Sequence, residues 1–264
     1  MRLRVGGCSD TGKVRSLNED AYTCHRRLGL FVVCDGMGGE AAGEVASQLA
    51  VATILKQLDN AGSGGEKAAG EATGYLPRTR SLEAALQASN QVIYQESQQD
   101  AQRAGMGTAV VSAWIGGSVA SLAHVGDSRA YLWRNQQLEQ LTRDHSFVEE
   151  QIHLGLLSRS ESLHSELQNI LLRALGREPQ VEVDLAEVPL MPGDYLLLCT
   201  DGLTRMVADA TLAEAVATLR EPQKICDHLV ALANRNGGVD NITVVVIEVA
   251  RESLWQRLWR GWRS

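Results

Sequence analysis

The chain has 264 residues, of which 44% are hydrophobic and 22% charged, and its formal net charge is −7. This composition is typical of a globular protein with a large core, and the acidic balance argues against bulk binding of nucleic acid. No apolar run approaches the roughly 18 residues of a membrane span, and the N-terminus lacks the apolar region of a secretory signal. The five cysteines are odd in number and lack CxxC spacing, which favours a reducing cytoplasm over a disulfide framework or a zinc knuckle.

Secondary structure in the first hundred residues follows from hydrophobic spacing and from the turn residues between apolar runs. The expected elements are strands over 2–8 and 21–34, a polar loop over 9–20, helices over 40–58 and 81–102, and a Gly- and Ala-rich surface loop over 60–74. Because candidate site residues lie on both sides of this second loop, we do not expect it to be a domain boundary.

From residue 107 onward the hydrophobic period changes to that of strands. Three runs at 108–117, 119–127 and 128–135 predict a meander, and the mixed segment 145–176 predicts helix. Further strands are expected over 181–188, 195–201 and 241–249, with helices over 210–219 and 222–235. Strands that come in runs and helices that come in pairs favour an antiparallel α+β fold over a doubly wound parallel sheet.

Two apolar runs, LFVVCDGMGG at 30–39 and YLLLCTDG at 195–202, both end in an aspartate followed by glycine. Such runs predict buried strands, so Asp35 and Asp201 would each be held rigidly at the last position of a strand. The glycine that follows allows a sharp turn. Two such carboxylates on one site would suit a hard cation such as Mg²⁺ or Mn²⁺.

Other polar clusters lie at the ends of apolar runs, namely RSLNED at 15–20, GDSR at 126–129 and DN at 240–241. Taken singly, each is the kind of turn or cap that Asp and Asn commonly form. Taken together, with Arg15 close to two acidic residues, they indicate a site. Clustered carboxylates repel one another unless cations neutralise them, and two cations about 3.5–4 Å apart could share one aspartate.

The ordered set RSLNED, DGMGG, MGTAVV, HVGDSR, DHS, TDG and DN resembles the metal-dependent serine/threonine phosphatases of the type 2C (PPM) family, especially its compact bacterial members. The resemblance runs from about residue 5 to 249. It implies a four-layer αββα sandwich, in which two antiparallel β-sheets are flanked by helix pairs. We therefore expect a catalytic domain over 1–250 and a separate C-terminal tail over 251–264.

The resemblance also implies a metal centre that contains two Mn²⁺ or Mg²⁺ ions and a third, weaker one. Asp35 would bridge the two core ions, and the Gly36 carbonyl would bind one of them. Asp201 and Asp240 would hold the other core ion. Asp127 would help to hold the third ion together with Asp201.

Three further roles follow from the same resemblance. Glu19 and Asp20 would bind water molecules on the metals, and Arg15 would clamp the substrate phosphate through its planar guanidinium. The implied reaction is hydrolysis of phosphoserine and phosphothreonine in proteins by a hydroxide that bridges the metals.

The departing alkoxide needs a proton, and the sequence leaves the donor open. Many eukaryotic relatives have histidine after the DG pair, but this chain has Met37, which cannot donate a proton. A water on the metals is the preferred substitute. His124 and His145 are alternatives, although a structural role is the simpler expectation for each.

Several other residues have both a functional and a structural interpretation. Asn241 would orient the Asp240 turn, and Asp144 begins the segment that forms a mobile flap in the family. Thr108 would either touch the metal site or simply form strand. The serines of the flap region would either recognise substrate or satisfy turns; they are Ser158, Ser160, Ser162 and Ser165.

The expected partners are proteins phosphorylated on serine or threonine, including a bacterial kinase and its substrates, and the expected state is a monomer. In the tail, Trp255, Trp259 and Trp262 form a stripe flanked by arginines. This pattern suits a membrane surface or a partner groove, and it equally suits a helix folded onto the domain. Two competing functions are a non-catalytic binding module and a regulatory phosphatase with one dedicated partner.

Overall fold

The computed structural model describes residues 1–39, 42–62, 74–158, 161, 167 and 170–250. Within these residues, ten strands form two antiparallel sheets of five. The strands are β1 Arg2–Asp10, β2 Asp20–His25, β3 Leu30–Met37, β4 Gly107–Gly116, β5 Val119–Val125, β6 Arg129–Arg134, β7 Gln137–Gln140, β8 Asp184–Pro189, β9 Tyr195–Cys199 and β10 Ile242–Ala250. Sheet I has the order β1-β10-β9-β6-β7, and sheet II has the order β2-β3-β4-β5-β8.

Helices cover the outer faces of both sheets. The described helices are α1 Ala42–Gly62, α2 Pro77–Gln99, α3 Phe147–His153, α4 Asp201–Thr204, α5 Asp209–Leu219 and α6 Pro222–Arg235, with a short 3₁₀ turn at Ala101–Arg103. The pair α1 and α2 packs on sheet II, and the pair α5 and α6 packs on sheet I. Among the described residues, no helix is both long enough and apolar enough to cross a membrane.

Strict alternation of side chains builds the three apolar layers. In β3, Leu30 and Val32 face the helices α1 and α2, whereas Phe31 and Val33 face the other sheet, and all four are fully buried. Successive strand residues point to opposite faces, so a strand buried on both sides must be apolar throughout. The same alternation in β10 and β9 completes the core between the sheets, and the predicted αββα sandwich is confirmed.

Most predicted elements are present, with shifted ends. Helix α2 begins at Pro77, four residues before the predicted start, because proline fits the first turn of a helix, where its missing N–H costs nothing. Helix α1 continues to residue 62 and so enters the predicted loop over 60–74. Residues 63–73 of that loop and the tail over 251–264 lie outside the described residues.

The predicted meander over 107–135 is wrong in one respect. Strands β4 and β5 pair in sheet II, but β6 belongs to sheet I, where its neighbours are β7 and β9. The chain crosses between the sheets at Gly126, whose φ of +105° favours glycine. Strand β7 was not predicted.

The described part of the segment 145–176 combines helix with bridged backbone. Helix α3 covers Phe147–His153 and residue 161 is helical, whereas residues 170–176 include backbone bridges rather than helix. Leu171 bridges Ser146, and Leu175 bridges Thr108 at the start of β4. The Leu175 bridge attaches the arm at 170–176 to the start of β4 in sheet II, and the Leu171 bridge attaches it to the residue before α3.

Candidate active site

Aspartates from both sheets converge at one end of the sandwich. Asp20 begins β2 and lies opposite Asp35 on β3 in the strand register. Asp127 lies in the turn that crosses from β5 to β6, and Asp240 lies two residues before the start of β10. Asp201 follows β9, and its carboxyl lies within hydrogen-bonding reach of that of Asp35.

Two local details differ from the sequence prediction. Asp35 is not the last residue of its strand, since β3 continues to Met37. Asp201 is not the last residue of a strand either: β9 ends at Cys199, and Asp201 is the first residue of helix α4, with Thr200 as the N-cap. The first turn of a helix favours an acidic side chain, because its free N–H groups carry partial positive charge.

The carboxyl groups of this cluster are buried and close to one another, and both conditions raise their pKa values. Burial, followed by the neighbouring carboxylates Asp20 and Asp201, raises the pKa of Asp35 well above its usual range. Burial and then Asp201 do the same to the pKa of Asp127. Burial also raises the pKa of Asp20 to about 7, although two hydroxyl donors oppose this shift. Protons or cations must therefore neutralise the cluster.

The donor set fits hard divalent cations. Asp20 Oδ2 accepts hydrogen bonds from Thr200 Oγ1 at 3.0 Å and from Thr243 Oγ1 at 2.7 Å. Asp20 Oδ1, by contrast, is buried and has no hydrogen-bond partner among the described residues. A buried, unpaired carboxylate oxygen beside Asp35 and Asp201 is an available ligand or an acceptor for metal-bound water, and carboxylate oxygens suit Mn²⁺ and Mg²⁺.

Asn241 joins the loop over 11–19 to the start of β10. Its Oδ1 accepts from the Glu19 N–H at 2.8 Å, and its Nδ2 donates to the Thr11 and Leu17 carbonyls, each at 2.9 Å. The Asn241 N–H also donates to Asp240 Oδ1 at 2.9 Å. Asn241 thus fixes Asp240, the role that the sequence suggested, and it also positions Glu19.

Gly36 lies where backbone segments approach closely. A Cβ atom at this position would lie 2.2 Å from the Gly43 carbonyl oxygen and 2.4 Å from that of Glu19. The Gly36 N–H donates to the same Glu19 oxygen at 3.2 Å. Only glycine fits there, which explains the DG pair that marks this site in the sequence.

Arg15 lies at the open side of the cluster. Its Nη2 donates to Asp240 Oδ2 at 2.8 Å, and its side chain is 51% exposed. A planar guanidinium that uses one edge on a carboxylate keeps N–H groups for a second anion. Arg15 therefore combines contact with the cluster and access from solvent.

The two histidines are buried behind the Asp127 turn. His124 Nε2 lies 2.9 Å from the Arg143 carbonyl, and His145 Nδ1 accepts from the Gly126 N–H at 3.2 Å. Burial lowers both pKa values, that of His145 to about 4, so both rings are neutral near pH 7. Neither is a ready proton donor for a leaving group at the cluster.

The protonation of His145 argues against a separate metal site formed by the two histidines and Asp184. Candidate ligand atoms of His124, His145 and Asp184 lie within 4.8 Å of one another. A neutral imidazole whose Nδ1 accepts a hydrogen bond carries its proton on Nε2, here 3.3 Å from Asp184 Oδ2. A ligating histidine instead donates its other ring N–H. The group is a structural support for the turn.

The remaining residues of interest support the edges of the site. Thr108 Oγ1 donates to the Asp35 carbonyl at 2.8 Å and so holds the backbone of that residue. Asp144 accepts hydrogen bonds from both Nε and Nη2 of Arg129, which fixes the start of the flap region. The Ser158 hydroxyl donates a hydrogen bond to Glu161 Oε2. The predicted residues Ser160, Ser162 and Ser165 lie outside the described residues.

Met37 faces a cavity rather than a proton-transfer path. The cavity has a volume of about 580 Å³, and its walls include the arm at 170–174 and Arg177. A thioether has no proton to give. The position after the DG pair therefore contributes an apolar wall here.

Three contributors to the site were missed in the sequence. Thr200 and Thr243 hold Asp20, although they lie far from it along the chain. Arg205 reaches back one helical turn, so that its Nη2 lies 2.5 Å from Asp201 Oδ2. The i,i+4 spacing of Asp201 and Arg205 was a signal that could have found this pair once α4 was recognised as a helix.

Comparison with known proteins identifies the family to which this chain belongs. A family model described as protein phosphatase 2C matches residues 12–240. The chain is 39% identical over 249 residues to the serine/threonine phosphatase stp of Listeria innocua, covering 91% of this chain and 93% of that protein. The chain therefore belongs to the protein phosphatase 2C family, whose members are metal-dependent serine/threonine phosphatases, as the resemblance predicted.

Solved structures agree with this assignment. The crystal structure of the Mycobacterium tuberculosis serine/threonine phosphatase PstP/Ppp matches with a TM-score of 0.84 and 36% identity, covering 94% of this chain and 99% of that one. The catalytic domain of PstP in complex with two manganese ions matches with a TM-score of 0.81, 36% identity and coverage of 94% and 99%.

Proposed function

We propose that this protein hydrolyses phosphoserine and phosphothreonine in proteins by means of a binuclear Mn²⁺ or Mg²⁺ centre. The observation that carries the proposal is the convergence of Asp20, Asp35, Asp127 and Asp201, whose pKa values are all raised, first by burial and then by neighbouring carboxylates. The manganese ions of the PstP catalytic domain and the names of the relatives support it.

Each aspartate has a proposed place in this centre. Asp35 would bridge the two ions, with the Gly36 carbonyl on one of them, and Asp201 and Asp240 would bind the other. Glu19 and Asp20 would hold water at the ions. Bound there, the two cations would neutralise phosphate charge and lower the pKa of water, which makes it a nucleophile near pH 7.

Residues around the proposed centre hold its ligand side chains in place through hydrogen bonds. Thr200 and Thr243 fix one oxygen of Asp20 and leave the other to face the cluster. Asn241 fixes Asp240 and the Glu19 backbone. Ligands whose rotamers are already held lose little entropy when they bind, so the centre is preorganised.

The proton for the leaving alkoxide would come from water. Met37 has none to give, and the neutral rings of His124 and His145 are occupied with backbone groups of the turn. Half-exposed Arg15 shows that solvent reaches the mouth of the site. We therefore assign this step to solvent rather than to a side chain.

The biological setting is proposed on the same basis. The substrates would be phosphorylated proteins in the cytoplasm, and the enzyme, as a monomer, would oppose a bacterial Ser/Thr kinase. Residues 1–250 would form the catalytic domain, and the Trp- and Arg-rich tail over 251–264 would contact a membrane surface or a partner protein. The alternative of a non-catalytic binding module has no support in the site, because every aspartate that the resemblance requires is present.

Arg15 gives a test of the substrate side of this proposal. We expect Arg15→Lys to raise KM for a phosphothreonine peptide about tenfold and to change kcat less, because an ammonium cannot hold phosphate through two parallel N–H donors. The control is Arg4→Lys, since Arg4 also forms a half-exposed 2.8 Å ion pair, with Glu248, six residues along β1 from the site end of that strand. Equal KM values for the two variants would remove Arg15 from phosphate binding.

A further inference from the structure

A permanent positive charge lies against Asp201, one of the carboxylates of the cluster. Arg205 follows the short helix α4, and its backbone N–H donates to the Asp201 carbonyl at 2.9 Å. Its guanidinium then folds back so that Nη2 lies 2.5 Å from Asp201 Oδ2. The Arg205 side chain is only 24% exposed, so water screens this contact weakly.

The same guanidinium acts on Asp127. Arg205 opposes the rise in the pKa of Asp201, and it also opposes the rise in the pKa of Asp127, where burial and Asp201 push the value upward. Arg205 is therefore within electrostatic reach of both carboxylates.

The family resemblance assigns these two carboxylates to a third, weaker ion, and the inference rests on that assignment and on the proposed metal-dependent function. A divalent cation there would have to displace Arg205 from Asp201 Oδ2, and it would be repelled by the guanidinium if it did not. We infer that Arg205 takes the place of the third cation, so that this enzyme saturates with two metal ions.

The consequence is a centre that depends less on free metal. An arginine in a protein is always protonated and cannot dissociate, so one of the two negative charges on the Asp127–Asp201 pair stays balanced at any metal concentration. The core ions would then be recruited by Asp35, Asp240, the Gly36 carbonyl and the remaining oxygen of Asp201. The variant Arg205→Lys separates the effect of charge from that of shape, because lysine keeps the positive charge but lacks the planar, forked guanidinium.

The experiment counts bound Mn²⁺ per chain by equilibrium dialysis and by electron paramagnetic resonance, without substrate. We expect two ions on the wild type and on the control Arg4→Gln. Arg205→Gln should gain a third ion, with an affinity about tenfold or more above that of the wild type at this site. Arg205→Lys should stay at two. The double variant Asp127→Asn/Arg205→Gln should return to two, which locates the gained ion.

The possible outcomes distinguish a failure of the Arg205 inference from a failure of the binuclear proposal. Three ions on the wild type, or two on a folded Arg205→Gln variant, would overturn the role of Arg205 and leave the binuclear proposal intact. A third ion on Arg205→Lys as well would overturn the role of the charge. Fewer than two ions on the wild type would refute the binuclear centre and with it the inference. Thermal melting in EDTA shows that each variant is folded before its ions are counted.

Discussion

Replacing Asp35 by asparagine should lower kcat/KM for a phosphothreonine peptide about 10³-fold in saturating Mn²⁺. The substitution keeps the shape of the side chain but removes the carboxylate that faces Asp20, Asp201, Asp127 and Asp240 at the centre of the cluster. A bridging position needs two anionic oxygens, and the loss of one preorganised electrostatic contact commonly costs 10²–10³ in rate.

The matched control is Asp227→Asn on α6, where an exposed carboxylate accepts a hydrogen bond from Gln223. This variant makes the same chemical change away from the site, and we expect it to retain wild-type turnover. If Asp35→Asn retained more than about a tenth of the wild-type kcat/KM in the same assay, Asp35 would not be a bridging ligand.

The second large effect concerns the metal-free protein and its dependence on pH. In EDTA, the melting temperature should fall by about 5 °C or more between pH 6.5 and pH 8.0. The pKa of Asp20 is raised to about 7, and those of Asp35 and Asp127 are raised well above the usual range. The folded state therefore holds protons that the unfolded state has already released, so stability falls as pH rises through these values.

The pH window matters because the buried histidines act in the opposite direction. The pKa values of His124 and His145 are lowered by burial, so their contribution to stability rises with pH and is complete above about pH 6.5. Between pH 6.5 and 8.0 the carboxylates dominate the slope, because the unfolded histidines release only their last protons there. Saturating Mn²⁺ should remove the slope, because cations then replace the protons. A metal-free melting temperature that is flat or rises over this window would show that the pKa values of these aspartates are not raised in the folded protein.

Much of this site was predictable because local sequence patterns determine where aspartates fall. A buried strand must be apolar throughout, so a charged residue that interrupts it, such as Asp35, marks the rim of the core. A close backbone approach requires glycine, so the DG pair marks a tight contact at Gly36. These two rules predicted carboxylates on a common edge before any contact was known.

The parts that were missed depend on contacts between distant segments. The chain crosses between sheets at Gly126, and hydrophobic period alone cannot tell a crossing from the turn of a meander. Thr200 and Thr243 bind Asp20 across 180 and 223 residues of sequence, respectively. Both threonines are ordinary in sequence, and only the register of β9 and β10 gives them a role.

The central claim is that divalent metal at this carboxylate cluster performs phosphate-ester hydrolysis. Its most direct test is the initial rate of phosphate release from a phosphothreonine peptide by protein dialysed against EDTA, with and without added Mn²⁺. We expect no release above background in EDTA and full recovery on addition of Mn²⁺. Release that continues undiminished after chelation would contradict the claim.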